Sequence, residues 1–210
     1  LEDEGTACLV HWLLCSNPKL ATSFYWFFNI FQKREFSSEE LVSALVDFVQ
    51  DQVEPRRRPS SQVLKKEVQV LLRSYCQSKV SVRAPLEEAL DSPFSAIKLV
   101  QRKNAETIFL SIMEDRVAVP YEILGYAVLS VFRFIKERVI PIEGLMYSDG
   151  EMPAPGSVFR LSEDDFLRKM ERFIKRYPES LDFRESSGHR QLFLLDGAPS
   201  DEQLLAVARD

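Results

Sequence analysis

Apolar residues along this chain recur mostly at intervals of three and four, the period of an amphipathic helix, and only locally at intervals of two. Residues 2–15 carry Ala7, Leu9, Val10, Trp12, Leu13 and Leu14 around so much of the circumference that the spacing predicts a largely buried helix, stopped by Asn17-Pro18. A second helix over 21–31 crowds together Phe24, Tyr25, Trp26, Phe27, Phe28, Ile30 and Phe31. An exposed apolar patch of that size is rare, so core is the better reading than a docking face. Ser37 with Glu40 forms a capping box ahead of Leu41, Leu45, Val46 and Val49, predicting a third helix to about Gln52. After the Pro-bracketed loop 51–59, Ser60 or Ser61 caps a fourth helix with the stripe Leu64, Val68, Leu71, Leu72 and Tyr75.

Residues 77–93 show no clear period. Ile97–Gln101 and Thr107–Ile112 read as strands joined by "RKNA". Pro120 opens a helix over Tyr121–Glu137, and Ser162 caps another that turns Phe166, Leu167, Met170, Phe173 and Ile174 inward. Between them, 147–157 reads as a loop. Leu181–Arg184 and Gln191–Leu195 alternate around "ESSGH" as a second hairpin, and Ser200 caps a last short helix. The pattern predicts a mainly α (α+β) fold, a compact helical domain with one or two short β-hairpins. The loop near 147–157 is the candidate boundary between sub-lobes.

Composition narrows the function. Seven Gly in 210 residues argue against a turn-rich sandwich, and 45% hydrophobic residues argue against disorder. The net charge of −5 excludes a histone-like basic coat, so any polyanion must meet a local patch. Three Cys, an odd count in a chain too large to need staples, predict free thiols in a reducing cytoplasm. Neither a membrane span nor a signal peptide is legible, so no membrane partner is expected. The chain opens at Leu1 without an initiator Met, which reads as the C-terminal piece of a longer protein or the scar of a removed tag.

Phosphate-cradling glycine motifs are missing, so no nucleotide or dinucleotide cofactor is expected; G-x-S-x-G and H-E-x-x-H are missing too. Cys8, His11 and Cys15 share a helix face, but seven residues at ~1.5 Å rise separate the two thiols by about 10.5 Å. That is too far for one zinc ion or for a disulfide, which leaves buried thiols beside a histidine bonded to backbone. "SSGHR" at 186–190 gathers hydroxyls and His189 without an acid partner, and reads as a hairpin turn. Glu67, and Asp91 in "LDSPF", are weak metal-ligand candidates; the acids at 163–165 are simpler as dipole and capping residues.

The basic material carries more. Arg56, Arg57 and Arg58 stand in the loop ahead of a helix bearing Lys65, Lys66, Gln69 and Arg73. Lys66, Gln69 and Arg73, three and four apart, project from one face. An Arg loop leading into a basic helix face is a geometry that grips a phosphate backbone; a solvated polar face beside a loop is the competing reading, and the sequence leaves both open. Lys79 and Arg83 extend the positive run.

The order of segments adds a resemblance. "LEDEGTACLVHWLL", "FYWFFNIF" with Asn29, "REFSSEELVSAL", "LKKEVQVLLRSY", "LDSPFSAIKLV" and "PGSVFRLSEDDFLRKME" together resemble the C-terminal part of the SspB-type family of bacterial DNA phosphorothioation and phage-defence proteins. The resemblance covers residues 1–196, with 197–210 as a C-terminal helix or tail, and implies that an N-terminal DNA-reading part is missing here. It implies a component that nicks DNA so that sulfur can replace a backbone oxygen, using Mg²⁺ or Mn²⁺. The partners it implies are DNA and three proteins: a cysteine desulfurase, an ATPase and a subunit related to PAPS reductases. The alternative is a non-catalytic scaffold that docks those subunits. Glu67 stands where such proteins commonly carry Asp, so no catalytic or metal residue is carried over.

Overall fold

The computed structural model describes residues 4–76, 93–103 and 107–207, and the chain divides into two compact units, Leu1–Ile30 with Met113–Asp210, and Phe31–Ile112. The mainly α (α+β) class is what forms, with two small antiparallel sheets of three strands each among the described residues. The loop at 147–157 lies inside the first unit.

In the first unit, α1 (Glu4–Ser16) packs on α2 (Thr22–Asn29). Every residue of α2 from Ser23 to Asn29 is buried, so its aromatic run is core. A helix buried all round cannot leave its last carbonyls to water, and polar side chains meet them instead. Asn29 Nδ2 donates to the Cys15 and Tyr25 carbonyls at 2.9 and 3.0 Å, while its Oδ1 accepts from Ala154 N–H at 3.1 Å. Arg160, 3% exposed, sends its guanidinium to the carbonyls of Phe27 and Phe28 at 3.1 and 3.4 Å and lies over both rings.

The spine of this unit is α5 (Tyr121–Ile135), which packs against α8 (Glu163–Arg176) and α9 (Asp201–Val207). The α5–α8 approach is close because Gly125 faces the Phe173 ring; a Cβ there would lie 2.1 Å from a ring carbon. Lys136, at φ 60, ends α5 with a left-handed cap, two residues short of the predicted Glu137 boundary. The predicted 181–195 hairpin forms as β5 (Leu181–Ser186) and β6 (His189–Leu194), joined by Ser187 and Gly188 at φ 52 and 80, the two left-handed residues of a tight hairpin turn. The sequence pattern missed β4 (Val139–Pro141), which pairs with β6, and the short helices α6 (Ile142–Met146) and α7 (Pro155–Val158). These pieces span at most five residues, too few for a period to register.

A buried ionic network closes the start of α8. The Ser162 side chain caps the helix, and Asp165, 2% exposed, accepts from Arg116 N–H at 2.8 Å, from Lys169 at 2.9 Å and from Arg168 at 2.7 Å. The buried cluster Cys8, His11 and Cys15 holds no disulfide, as the helical spacing requires. His11 Nε2 meets the Val158 carbonyl at 2.8 Å and so carries the proton, leaving Nδ1, 3.4 Å from Cys15 Sγ, to accept from the thiol. Burial lowers the His11 pKa to about 3, against the opposing pull of the Val158 bond, so the ring is neutral at pH 7.

The second unit holds β1 (Glu35–Ser37), α3 (Ser38–Gln52), a 3-10 turn (Pro55–Arg57), α4 (Ser61–Tyr75), β2 (Gln101–Arg102) and β3 (Ile108–Leu110), with strand order β1-β3-β2. The capping box of Ser37 and Glu40 is present in full, and the five predicted apolar positions of α4 are its buried ones. Of the predicted strand 97–101, only Gln101 is extended, because Lys98 adopts φ 51; Ile97, Leu99 and Val100 are buried off the sheet. The loop "RKNA" lies partly outside the described residues, and the aperiodic stretch 77–93 lies outside them except for Pro93.

Two outcomes test this packing. Gly125→Ala is expected to destabilise the chain by about 1–3 kcal/mol through overpacking against Phe173, read as a lower urea midpoint at unchanged slope. Burial opposes ionisation of Asp165, but the bonds from Arg116 N–H, Lys169 and Arg168 outweigh it and hold the carboxyl below the usual Asp range. Its contribution is therefore complete above the unfolded Asp value of ~3.9 and is lost as pH falls through the lower folded value. Asp165→Asn, which strands the buried Lys169, should cost ~3 kcal/mol at neutral pH, with the two proteins converging in acid denaturation curves toward pH ~2.

Candidate nucleic-acid interface

The charge of the chain is divided unevenly between its units. Residues 31–112 contain thirteen Lys and Arg against eleven Asp and Glu, whereas the rest of the chain contains fourteen against twenty-one. The first unit also ties up many of its cations in ion pairs: Arg116 with Glu114, Arg133 with Asp201, Arg138 with Asp196, Arg168 with Asp115, and Arg190 with Glu163. In the second unit Lys33 pairs with Glu40, Arg57 loosely with Glu54 at 3.8 Å, and Lys103 with Glu35. Among the described residues, Arg56, Lys65, Lys66, Arg73 and Arg102 have no carboxylate partner. All five are exposed to solvent.

All six sequence-predicted cations belong to this unit and are exposed. Arg56 and Arg57 lie in the 3-10 turn that Pro55 initiates. Arg58 follows it and turns back onto the end of α3, with Nε donating to the Val53 carbonyl at 2.7 Å and Nη2 to the Gln50 carbonyl at 2.6 Å. That guanidinium satisfies helix-terminal acceptors and stands with its charge at the negative end of the α3 dipole. Ser60 caps α4, so Lys65 and Lys66 fall in its second turn. Lys66, Gln69 and Arg73 are exposed on one face, opposite the buried Leu64, Val68 and Leu71. The row from Lys66 to Arg73 is about 10.5 Å long, the rise of roughly three nucleotides in one strand of a duplex.

The sequence reading missed Arg102. It stands on β2 with its guanidinium 5.3 Å from the centre of the Phe109 ring, and it lines a cavity of about 390 Å³ together with Gln69, Arg73, Ser38 and Thr107. Twenty-nine positions separate Arg73 from Arg102, and no helical or strand period links them. Cys76 borders the same cavity, with Sγ donating to the Val100 carbonyl at 3.4 Å. Burial raises its thiol pKa to about 11, with the Arg102 charge pulling weakly the other way, so it stays protonated at neutral pH and is a poor nucleophile.

The described residues offer no fit to the metal that the sequence resemblance implies: no group of three or more His, Cys, Asp or Glu among them is arranged to hold an ion. Glu67 is an exposed residue of α4, and Asp91, Lys79 and Arg83 lie outside the described residues. No described helix is long and apolar enough to cross a membrane.

Comparison with known proteins agrees with this architecture. A family model described as "Protein of unknown function (DUF4007)" matches residues 1–207. The SspB crystal structure superposes with a TM-score of 0.78 at 25% identity, and the magnesium ion-bound SspB crystal structure with 0.77 at 24% identity. Each match covers all of this chain and 59% of the SspB chain. No curated protein matches the sequence.

A thiol held protonated by burial should react slowly. Native protein treated with iodoacetamide at neutral pH is expected to leave Cys76 unmodified by mass spectrometry over times that label an unfolded control, and rapid native labelling would contradict the burial assigned to it.

Proposed function

This chain belongs to the family described as "Protein of unknown function (DUF4007)", and from that membership and its SspB-type fold we propose that it is a component of a bacterial DNA phosphorothioation and defence system. In this reading the intact protein works in the cytoplasm and nicks DNA so that sulfur can enter the backbone, alongside a cysteine desulfurase, an ATPase and a PAPS-reductase-like subunit. The part of the protein described above holds the strand. The observation that supports this role is the set of exposed cations on the second unit that have no carboxylate partner among the described residues, inside a chain of net charge −5. Arg56, Arg57, Lys65, Lys66 and Arg73 would neutralise backbone phosphates, and Arg58 would brace the loop that presents them.

A second reading has its own support. The first unit exposes Leu20 and Phe134, 63% and 62% accessible, and Phe134 borders a cavity of about 580 Å³ with Trp12, Tyr25, Val131 and Pro153. A scaffold would dock a partner subunit there, not on the aromatic run of α2, which is buried.

Replacing Arg56, Arg57, Lys65 and Lys66 by Gln is expected to weaken DNA binding and to flatten the plot of log affinity against log salt by roughly 0.9 for each phosphate no longer neutralised. An unchanged slope would remove this patch from the interface. A supercoiled-plasmid assay with and without Mg²⁺, comparing this chain with the intact protein, separates the roles: Mg²⁺-dependent nicking by this chain supports the first reading, and nicking by the intact protein alone supports the scaffold.

A further inference from the structure

The cavity beneath Arg73 does not stand alone. A second cavity, of about 520 Å³, is lined by Tyr75, Cys76, Ser95, Lys98, Gln101 and Arg102, and so shares Cys76 and Arg102 with the first. Three cations (Arg73, Lys98 and Arg102) face these two hollows, and no carboxylate is among the described residues that line either. The other polar side chains among the described lining residues include the hydroxyls and amides of Ser38, Thr107, Ser95, Gln69 and Gln101, which can donate to an anion as readily as they accept. In a chain where acids outnumber bases, Arg73 and Arg102, neither with a carboxylate partner among the described residues, are brought to one cavity from positions far apart in sequence.

The apolar side of the lining sets what such a site can read. Its aromatic rings, Tyr75 and Phe109, are 2% and 4% exposed, and Phe109 already carries Arg102 on its face. Neither offers a surface on which a base could stack. A guanidinium fixed against a ring keeps its fork in one orientation and loses less freedom on binding a phosphate than a mobile side chain would.

We propose that the paired hollows around Arg102 are a backbone-phosphate site that seats successive phosphodiesters of a nucleic-acid strand, with Arg73 lining the first of them, and that it reads no bases. This deepens the strand-holding role above and rests on it, while assigning the tightest contacts to Arg73 and Arg102 and not to the Arg56–Arg58 loop. Recognition of any particular sequence then falls to other parts of the intact protein.

The test measures fluorescence anisotropy of labelled oligonucleotides, single- and double-stranded, against the wild-type chain and the variants Arg102→Gln, Arg73→Gln and Arg102→Lys, across salt. A parallel arm titrates inorganic phosphate while following the arginine Nε–H resonances by NMR. Expected are about tenfold weaker DNA binding for Arg102→Gln, a salt slope lower by roughly 0.9, and partial recovery in Arg102→Lys. Arg73→Gln, on an exposed helix face where folding is not at stake, should weaken binding in the same direction. Wild-type affinity should vary less than about threefold among oligonucleotides of scrambled sequence. DNA binding that survives both Gln variants unchanged overturns the site but leaves strand holding by the Arg56–Lys66 cations intact. Loss in both Gln variants together with a strong sequence preference overturns the base-blind reading. A wild-type chain that binds phosphate but no DNA overturns the nucleic-acid assignment, and one that binds neither overturns the site and the strand-holding role together.

Discussion

Burying α2 is the constraint that organises the first unit. A helix whose every residue from Ser23 to Asn29 is inside leaves its terminal carbonyls without water, and each unsatisfied group would cost ~1–3 kcal/mol. Asn29 and Arg160 meet that demand from inside the core, one with an amide and the other with a guanidinium stacked on the rings of Phe27 and Phe28. Arg160 adopts φ 50 while doing so, a conformation that L residues avoid, and it stands two residues past the end of α7. The aromatic run and a short segment more than a hundred residues downstream are therefore one structural device.

Electrostatics divides the molecule along a different principle. The first unit holds most of the acids and places many cations against them, down to the buried Asp165–Lys169 pair. The second unit carries a slight positive excess, and among the described residues several of its arginines and lysines have no carboxylate partner. Exposed ion pairs contribute little to stability, so the unpaired cations cost the fold little; what they change is the field at the surface and hence what binds there.

Much of the fold was legible because it rests on local chemistry. The capping box at Ser37–Glu40, the Ser60 and Ser162 caps, the five-residue stripe of α4 and the turn at Ser187–Gly188 are each set by residues a few positions apart. The strand at 97–101 misled because its apolar alternation reflects burial and not extension: Lys98 at φ 51 breaks the backbone while Ile97 and Leu99 still point inward. β1 and β4 carried no signal, since three residues become a strand only when a distant partner offers its edge.

The candidate interface shows the same division. The helical period alone fixes Lys66, Gln69 and Arg73 on one face of α4, and seven residues of helix alone keep Cys8 and Cys15 from sharing a metal. Whether a cation is compensated was not decided there: Arg58 bound to the end of α3, and Arg102 brought to the cavity of Arg73, both depend on which segments pack together. Periodicity is a property of neighbours along the chain and can be read from it. Charge compensation depends on neighbours in space, and only the folded chain selects those.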